Sequence, residues 1–372
     1  MELLAPAGSY DNLIAAVQSG CDAVYLGGTL FSARANASNF DLDSLKESIT
    51  YCHRYGVKVY VTVNTLLKDS EIYEALNYCV TLHNLGVDAI IIQDVGLVKL
   101  LKDVYPEIEL HASTQMTIHN VESAMWAKEN GFSRIVLSRE LSLAEIKEIS
   151  TAVDIELEMF IQGALCISYS GQCLMSSLIG GRSGNRGRCG QSCRLKYSML
   201  EDSKETEQGY LLSPKDLSLV DELQQIQDAG VTSLKIEGRL KQPGYVVETV
   251  GMYRQALNHK PYDKQRVART FVRTGYTTAY FYHKPQKEMM SLDRPNHSGV
   301  RIGQIKNSKI KLECDISVGD GLRINDSGFQ LEQIYKNKER VTKAIVGEVV
   351  ELVPREYQDG DILYKSFDYE IN

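Results

Sequence analysis

The sequence predicts a (β/α)8 TIM-like barrel with a cysteine-rich insertion between its seventh and eighth strands, followed by a small all-β barrel domain. Three observations predict it. Eight short apolar runs alternate with amphipathic stretches of helical period up to residue 257. The rhythm breaks once, between Ala164 and Val231, and after Pro295 it gives way to short β-like runs separated by turns.

The eight runs are ELLAPAG, AVYLGG, KVYVTVN, AIIIQD, ELHASTQ, RIVLSRE, ELEMFIQG and SLKIEGR. Between them lie segments such as SYDNLIAAVQSG, DLDSLKESITYCHRYG and SLAEIKEISTAVD, with Asp, Ser or Gly at capping positions. A doubly wound open sheet is the competing architecture, but no G-x-G-x-x-G follows the first run and eight units fill a closed barrel without remainder. The barrel is expected over 1–258 with its insertion at 164–231, a basic aromatic linker over 259–295, and the β-barrel domain over 296–372. In that last domain GVRIGQI, KIKLECD and AIVGEVVEL are parted by turn signals such as Gly319-Asp320 and Gly360-Asp361. Its expected role is to grip substrate or a protein partner, since nothing in it resembles a catalytic motif.

Of 372 residues, 43% are apolar and 24% charged, enough to bury the core of one large domain and a small one. The opening MELLAPAGSY lacks the basic and long apolar regions of a signal peptide, and no apolar run approaches ~18 residues. A cytoplasmic location without a membrane partner is expected. There structural disulfides are disfavoured, so clustered cysteines point to metal binding or redox chemistry. Cys21, Cys52, Cys79 and Cys314 are scattered in apolar contexts and read as core.

The other four, Cys166, Cys173, Cys189 and Cys193, gather at the start of the insertion in the pattern C-x6-C-x15-C-x3-C. Loops after barrel strands form the catalytic face, so the cluster is expected there. Structural zinc favours tight paired knuckles, and only the second pair is tight, whereas iron–sulfur clusters accept wider spacing. A 4Fe–4S cluster is therefore favoured, with structural zinc and unligated thiols as alternatives. Glycines allow the loop to wrap and offer N–H groups, while Arg182, Arg186, Arg188 and Arg194 offset negative charge or are merely solvated. With four cysteine ligands and no vacant iron, electron transfer or a structural role is favoured over Lewis-acid activation.

The chain carries a formal charge of −7, a poor match to a polyanion. Yet Lys260 to Lys311 holds 12 Lys and Arg against 3 Asp and Glu, a local +9 that leaves −16 elsewhere. Phe271, Tyr276, Tyr280, Phe281 and Tyr282 interleave with Arg269, Arg273 and Lys284, a mixture suited to stacking bases and neutralising phosphates. Arg269, Arg273 and Tyr276 are accordingly candidate RNA contacts. The alternative is a linker whose aromatics pack on the barrel. At the strand ends, parity groups His111, Ser113 and Gln115, and likewise Lys235, Glu237 and Arg239, toward the lumen or its mouth. A buried Lys235–Glu237 ion pair is the structural alternative there.

EMFIQGALCISYSGQCLMS, Glu158 to Ser176, resembles the signature of the collagenase-like proteins grouped as peptidase family U32: E-x-F-x2-G-[SA]-[hydrophobic]-C-x4-G-x-C-x-[hydrophobic]-S. The likeness extends to LAPAGSYDNLIAAVQSGCDAVYLGG, HASTQM, NRGRCGQSCR, LKIEGRLKQPGYV and FVRTGYTTAYF, most of residues 1–285. The family name asserts proteolysis, but the sequence has no H-E-x-x-H and no G-x-S-x-G, and its seven histidines pair with no nucleophile at a recognisable spacing. Four thiolates would also saturate a zinc and leave no position for a reactive water.

The resemblance implies instead an iron–sulfur-dependent, prephenate-linked hydroxylation, of RNA pyrimidines in some branches and of quinone precursors in others. Quinone-pathway relatives draw a cluster ligand from elsewhere, whereas this chain offers all four cysteines together. GGRSGNRGRCGQSCR is most similar to the branch that hydroxylates a cytidine of 23S rRNA, with the tRNA wobble uridine branch next. Members of that branch commonly run far beyond 372 residues, so a short form or a truncated chain is expected. In this reading Arg34, Arg139 and Arg239 clamp the dianionic prephenate, because guanidinium binds carboxylates bidentately, and Asn64 and Gln115 orient the base edge. The expected catalytic set is Lys235, Glu237, Arg239, Gln115 and Asn64, with Arg34, His111 and Arg139 binding substrate. A U32 peptidase, a quinone-precursor hydroxylase and a non-enzymatic RNA-binding module remain the alternatives.

Overall fold

The computed structural model describes residues 1–34, 37–282 and 286–371. Eight strands occupy the eight apolar runs: β1 (Glu2–Pro6), β2 (Ala23–Gly27), β3 (Lys58–Val63), β4 (Ala89–Ile92), β5 (Leu110–Ala112), β6 (Arg134–Val136), β7 (Glu156–Ala164) and β8 (Ser233–Ile236). Each pairs in parallel with its neighbour, and β8 pairs with both β7 and β1, so the barrel closes and leaves no open edge. Burial on both faces explains why the strands read as continuous runs such as KVYVTV and AIII.

Eight helices follow the strands: α1 (Tyr10–Gln18), α2 (Leu42–Arg54), α3 (Ile72–Asn84), α4 (Val95–Val104), α5 (Val121–Glu129), α6 (Leu143–Ala152), α7 (Leu223–Asp228) and α8 (Pro243–Leu257). Ser9, Asp41, Asp94, Asn120 and Ser142 each accept a backbone N–H three residues on, a contribution of about 1 kcal/mol apiece. These caps hold the helix starts, and with them the loops that leave the C-terminal ends of the strands. Inside the barrel Leu4, Ala23, Tyr25, Tyr60, Ala89 and Ile91 form one buried layer.

The insertion leaves from the end of β7. A short strand, Asp216–Ser218, returns antiparallel on Gln162–Ala164 and brings the chain back toward β8. Gly163 permits this: its φ is +107°, and a Cβ there would lie 2.5 Å from the Glu237 carbonyl. Between these points lie a six-residue helix, Met175–Gly180, and an exposed hairpin of Tyr197–Glu201 with Lys204–Gly209.

The chain divides into two compact units, 1–262 with 277–290, and 263–276 with 291–372. The stretch 259–295, expected as a linker, is thus shared between them, with a helix at Lys264–Thr270. The second unit is an antiparallel half-barrel of eight strands around Ile302, Ile310, Leu322, Ile334, Leu352 and Leu363. Its Lys365 ammonium is buried between Asp320 and Asp368, each 2.9 Å away. No helix among the described residues is long and apolar enough to cross a membrane.

Candidate active site

The lumen of the barrel is charged. From the start of β6, Arg134 reaches Glu2 at 2.5 Å, Glu156 at 2.7 Å and Glu158 at 3.2 Å. Lys235 donates to the second oxygen of Glu158 at 2.8 Å and lies 4.4 Å from the centre of the Tyr25 ring. Every strong charge here is compensated, the condition under which burial is tolerable. His111 belongs to this lower layer, edge-on to Tyr60 at 4.8 Å, with no partner for Nδ1 among the described residues. Burial, with help from Arg134 and Lys235, pushes its pKa well below the usual value, so the ring is neutral.

Two expectations are corrected by this arrangement. Lys235 pairs with Glu158 of β7 and not with Glu237, and it sits in the sealed lumen below the mouth. Glu237 lies beyond the end of β8, where strand alternation no longer sets its direction, and the register against β7 shifts just before it, between Lys235 and Ile236, with Ile161 of β7 as the extra residue. His111, likewise buried at 3% exposure, is too deep to bind substrate directly.

Above this layer the loops after β2, β3, β6 and β8 converge on Glu237. Arg34 approaches its carboxylate at 3.3 Å. Burial alone would raise the Glu237 pKa, but Arg34, Arg239 and Arg139 together hold it below the usual value. The Arg239 guanidinium is clamped by Ser32 and Thr62 at 2.9 Å and Asn39 at 3.1 Å. Burial first, and then Arg34, lowers its pKa to about 10, which still leaves it charged at neutral pH. The Nε of Arg239 has no partner among the described residues. Arg139 donates through its backbone N–H and Nε to Ser170 at 3.1 and 3.2 Å, while Ser170 donates its hydroxyl to Glu140 at 2.9 Å.

The mouth therefore brings together Arg34, Arg139, Glu237 and Arg239, while Lys235 of the expected set lies below it. Three guanidiniums to one carboxylate leave an excess of two positive charges. Asn64 accepts the Ala33 N–H at 3.0 Å and donates to Ser113 at 3.3 Å, which holds the Arg34 loop in place. Gln115 sits in a single 3-10 turn; its backbone carbonyl accepts from Gln93, and its amide side chain makes no hydrogen bond among the described residues. Sequence reasoning missed Ser32, Asn39 and Thr62, the residues that orient Arg239. Thr62 shares the parity of Tyr60 and was legible, whereas Ser32 and Asn39 lie in an irregular loop without a periodic signal.

The cysteine-rich insertion adjoins this mouth. Cys189 contributes to the field at Arg34, and Cys166 to that at Tyr280. Burial raises the Cys193 thiol against the opposing pull of Arg194, and the other three thiols of the group raise it further, so the four lie within electrostatic reach of one another. Cys189 accepts the Gln191 N–H at 3.4 Å and faces the Ser176 hydroxyl at 3.9 Å. The donor chemistry fits a thiolate-ligated centre, with N–H and O–H groups directed at sulfur. Among the described residues, no three His, Cys, Asp or Glu side chains are drawn together into a metal-holding group.

The basic stretch behaves differently from its expected role. Arg273 is 8% exposed, donates to the Pro295 carbonyl at 2.7 Å and stacks 4.7 Å over Phe271. Arg269 turns toward Asp368 at 3.9 Å, and Tyr276 is half-buried. These residues hold the second unit together and do not present a phosphate-binding row, because a buried carboxylate and a stacking ring satisfy the cations internally. Lys284 lies outside the described residues.

A family model described as Peptidase family U32 matches residues 8–291. The chain is 40% identical over 366 residues to the "23S rRNA 5-hydroxycytidine C2501 synthase" of Escherichia coli K12, covering 91% of this chain and 55% of that protein. It is 38% identical over 265 residues to the "tRNA hydroxylation protein P1" of Bacillus subtilis 168, covering 69% and 63%. It is 32% identical over 309 residues to the "Collagenase" of Porphyromonas gingivalis W83, covering 75% and 73%. The chain thus spans less than two thirds of the length of the two RNA-related proteins it matches here.

Proposed function

This chain belongs to peptidase family U32, and from that membership and the geometry of the barrel mouth we propose that it hydroxylates a pyrimidine of RNA, with a 23S rRNA cytidine favoured over a tRNA uridine. The higher identity to the rRNA protein supports that preference. The observation that carries the reading is Glu237 ringed by Arg34, Arg139 and Arg239. The excess of two positive charges matches a small dianion, and prephenate, with its two carboxylates, is the proposed co-substrate.

Each residue then has a separate task. Arg239, fixed by Ser32, Thr62 and Asn39, presents one rigid guanidinium edge at no ordering cost on binding. Arg34 is 36% exposed and exchanges its Glu237 contact for a substrate carboxylate. Glu237 stays ionised and can accept a proton at the mouth. The uncommitted amide of Gln115 is suited to a base edge, and Asn64 acts by positioning the Arg34 loop. Cys166, Cys173, Cys189 and Cys193 would hold an iron–sulfur centre, which supplies electron transfer when bound.

A peptidase finds less support at this site. The mouth has no histidine beside a nucleophile among the described residues: His111 is buried below it, and Ser170 is engaged by Arg139 and Glu140. The test is mass spectrometry of rRNA and tRNA from cells lacking the gene. One pyrimidine is expected to lose the mass of one oxygen atom, to regain it with the wild-type gene, and to stay unmodified with Arg239→Lys. Unchanged RNA, with peptide cleavage by protein purified to homogeneity, would establish the peptidase reading instead. Protein purified without oxygen is expected to contain iron and sulfide, lost on Cys189→Ser; stoichiometric zinc without iron would remove the cluster from the proposal.

A further inference from the structure

With Arg269 and Arg273 engaged inside their own unit, an acidic chain must meet a polyanion elsewhere. We propose that the outer surface of the cysteine-rich insertion, formed by Leu178, Ile179, Arg182 and Arg188, docks a single-stranded stretch of RNA beside the barrel mouth. The inference rests on the RNA reading above and adds the surface that holds the substrate.

Charge is the first support. From Ala164 to Tyr197 the chain has five basic residues, Arg182, Arg186, Arg188, Arg194 and Lys196, and no Asp or Glu. That +5 within a total of −7 leaves −12 for the rest (−7 − 5), and although part of it offsets the thiolates of Cys166, Cys173, Cys189 and Cys193, the arginines that no carboxylate engages remain to attract phosphate. The structure separates the four arginines by role. Arg186 makes a two-pronged pair with Glu71 at 2.7 and 2.8 Å, and Arg194 donates to Leu165 and Ser213 at 2.8 Å. Arg182 and Arg188 are exposed, and no side-chain hydrogen bond or ion pair engages either among the described residues.

Apolar exposure is the second. Leu178 is 83% exposed and Ile179 64% exposed on the six-residue helix Met175–Gly180, and no core accounts for them. The helix and the Arg182 turn belong to one small surface. Ser176 on the helix accepts the Gly190 N–H at 2.9 Å, and the Arg182 guanidinium lies 3.1 Å from the point where a Gly190 side chain would begin. Arg186, between Arg182 and Arg188, donates to the Leu66 carbonyl at 2.7 Å on the loop that follows β3, so the patch borders the mouth. Apolar side chains next to uncommitted guanidiniums match unpaired bases flanked by phosphates. A duplex hides its base faces and fits less well.

The test is fluorescence anisotropy with a labelled, cytidine-rich single-stranded RNA titrated with KCl, on the full chain purified without oxygen. R182Q/R188Q is expected to weaken binding roughly tenfold at low salt and to flatten the slope of log K against log salt by about 1.4, or about 0.7 for each phosphate contact. L178S/I179S is expected to weaken binding roughly tenfold with the slope unchanged. K99Q, at an exposed lysine of α4, is expected to change neither. The single variants R182Q and R188Q, each lowering the slope by about 0.7, serve if the double variant misfolds. If the parent binds RNA and both double variants bind it equally with the same slope, the surface assignment fails and the RNA reading stands. If the parent binds no RNA at any salt, both fail. Loss of self-association in L178S/I179S, measured by sedimentation with RNA affinity intact, would assign the patch to a contact between copies of the chain and overturn the proposal.

Discussion

Lys235 and Glu237 are two residues apart in sequence, yet they face different problems. Lys235 is 4% exposed and Glu158 fully buried, so each depends on the other for its charge to be tolerable. Removing one partner of a buried pair typically costs ~3–5 kcal/mol, because the remaining charge is stranded. Arg134 still contacts Glu158 at 3.2 Å, which places Lys235→Met near the low end, about 3 kcal/mol. The urea midpoint is expected to fall accordingly, while the proposed RNA modification, measured per folded molecule, survives. Glu237→Gln is expected to do the reverse, with little change in the midpoint and the proposed modification lost, since Arg34, which contacts it, is 36% exposed, buried Arg239 keeps its bonds to Ser32, Thr62 and Asn39, and the carboxylate faces the mouth. Equal loss of modification per folded molecule in both variants would return Lys235 to the catalytic set.

At the scale of elements, the insertion is tethered to the barrel at several points, among them Ser170 to Thr117, Arg139 and Glu140, and Arg186 to Leu66 and Glu71, and the last of these is sensitive to acid. Glu71, at the start of α3, accepts two bonds from Arg186, and these with the Lys68 backbone N–H pull its pKa from 4.5 to about 2. The folded chain binds this proton less readily than the unfolded one, so the tether contributes fully above pH 4.5 and fades as pH falls toward 2. Limited proteolysis within 165–215 is expected to accelerate over that window. Arg186→Gln is expected to be cleaved quickly at neutral pH and to lose most of the acid response; an unchanged response in that variant would locate the tether elsewhere. The barrel strands and the place of this insertion were legible in the sequence, because runs such as KVYVTVN and AIIIQD repeat a period that breaks once. The Glu237 cage was legible in part, since Arg34, Arg139 and Arg239 follow strand ends. The register shift opposite Lys235 was not, because pairing with β7 sets it and no local signal announces it. The fate of Arg273 was equally hidden, since a run of aromatics and cations reads the same whether it stacks internally or on a base.

For the whole molecule, closure of the barrel joins residues far apart in the chain: Glu2 of β1 pairs with Ser233 of β8. The first unit is not complete even at Tyr262, because 277–290 returns to it. Thr278, Tyr280 and Phe281 line a small cavity with Leu141, Ile146, Met159 and Phe160 of the barrel. The Lys215 N–H donates to the Met289 carbonyl at 2.7 Å, which ties the end of the insertion to the same segment. Phe281 is 4% exposed and Met289 1%, and burying each contributes about 1.5–3 kcal/mol. A chain ended at Tyr262 would forgo both, about 3–6 kcal/mol, against a total stability of about 5–15 kcal/mol for an ordinary domain. It would also bare the apolar residues beneath the segment. Such a truncation is expected to aggregate or to unfold at much lower urea than the full chain. Phe281→Ala in the full chain, which removes one anchor and keeps the backbone, is expected to lose about 3 kcal/mol. A soluble 1–262 fragment with the midpoint of the parent would show that the barrel is finished before the chain returns to it.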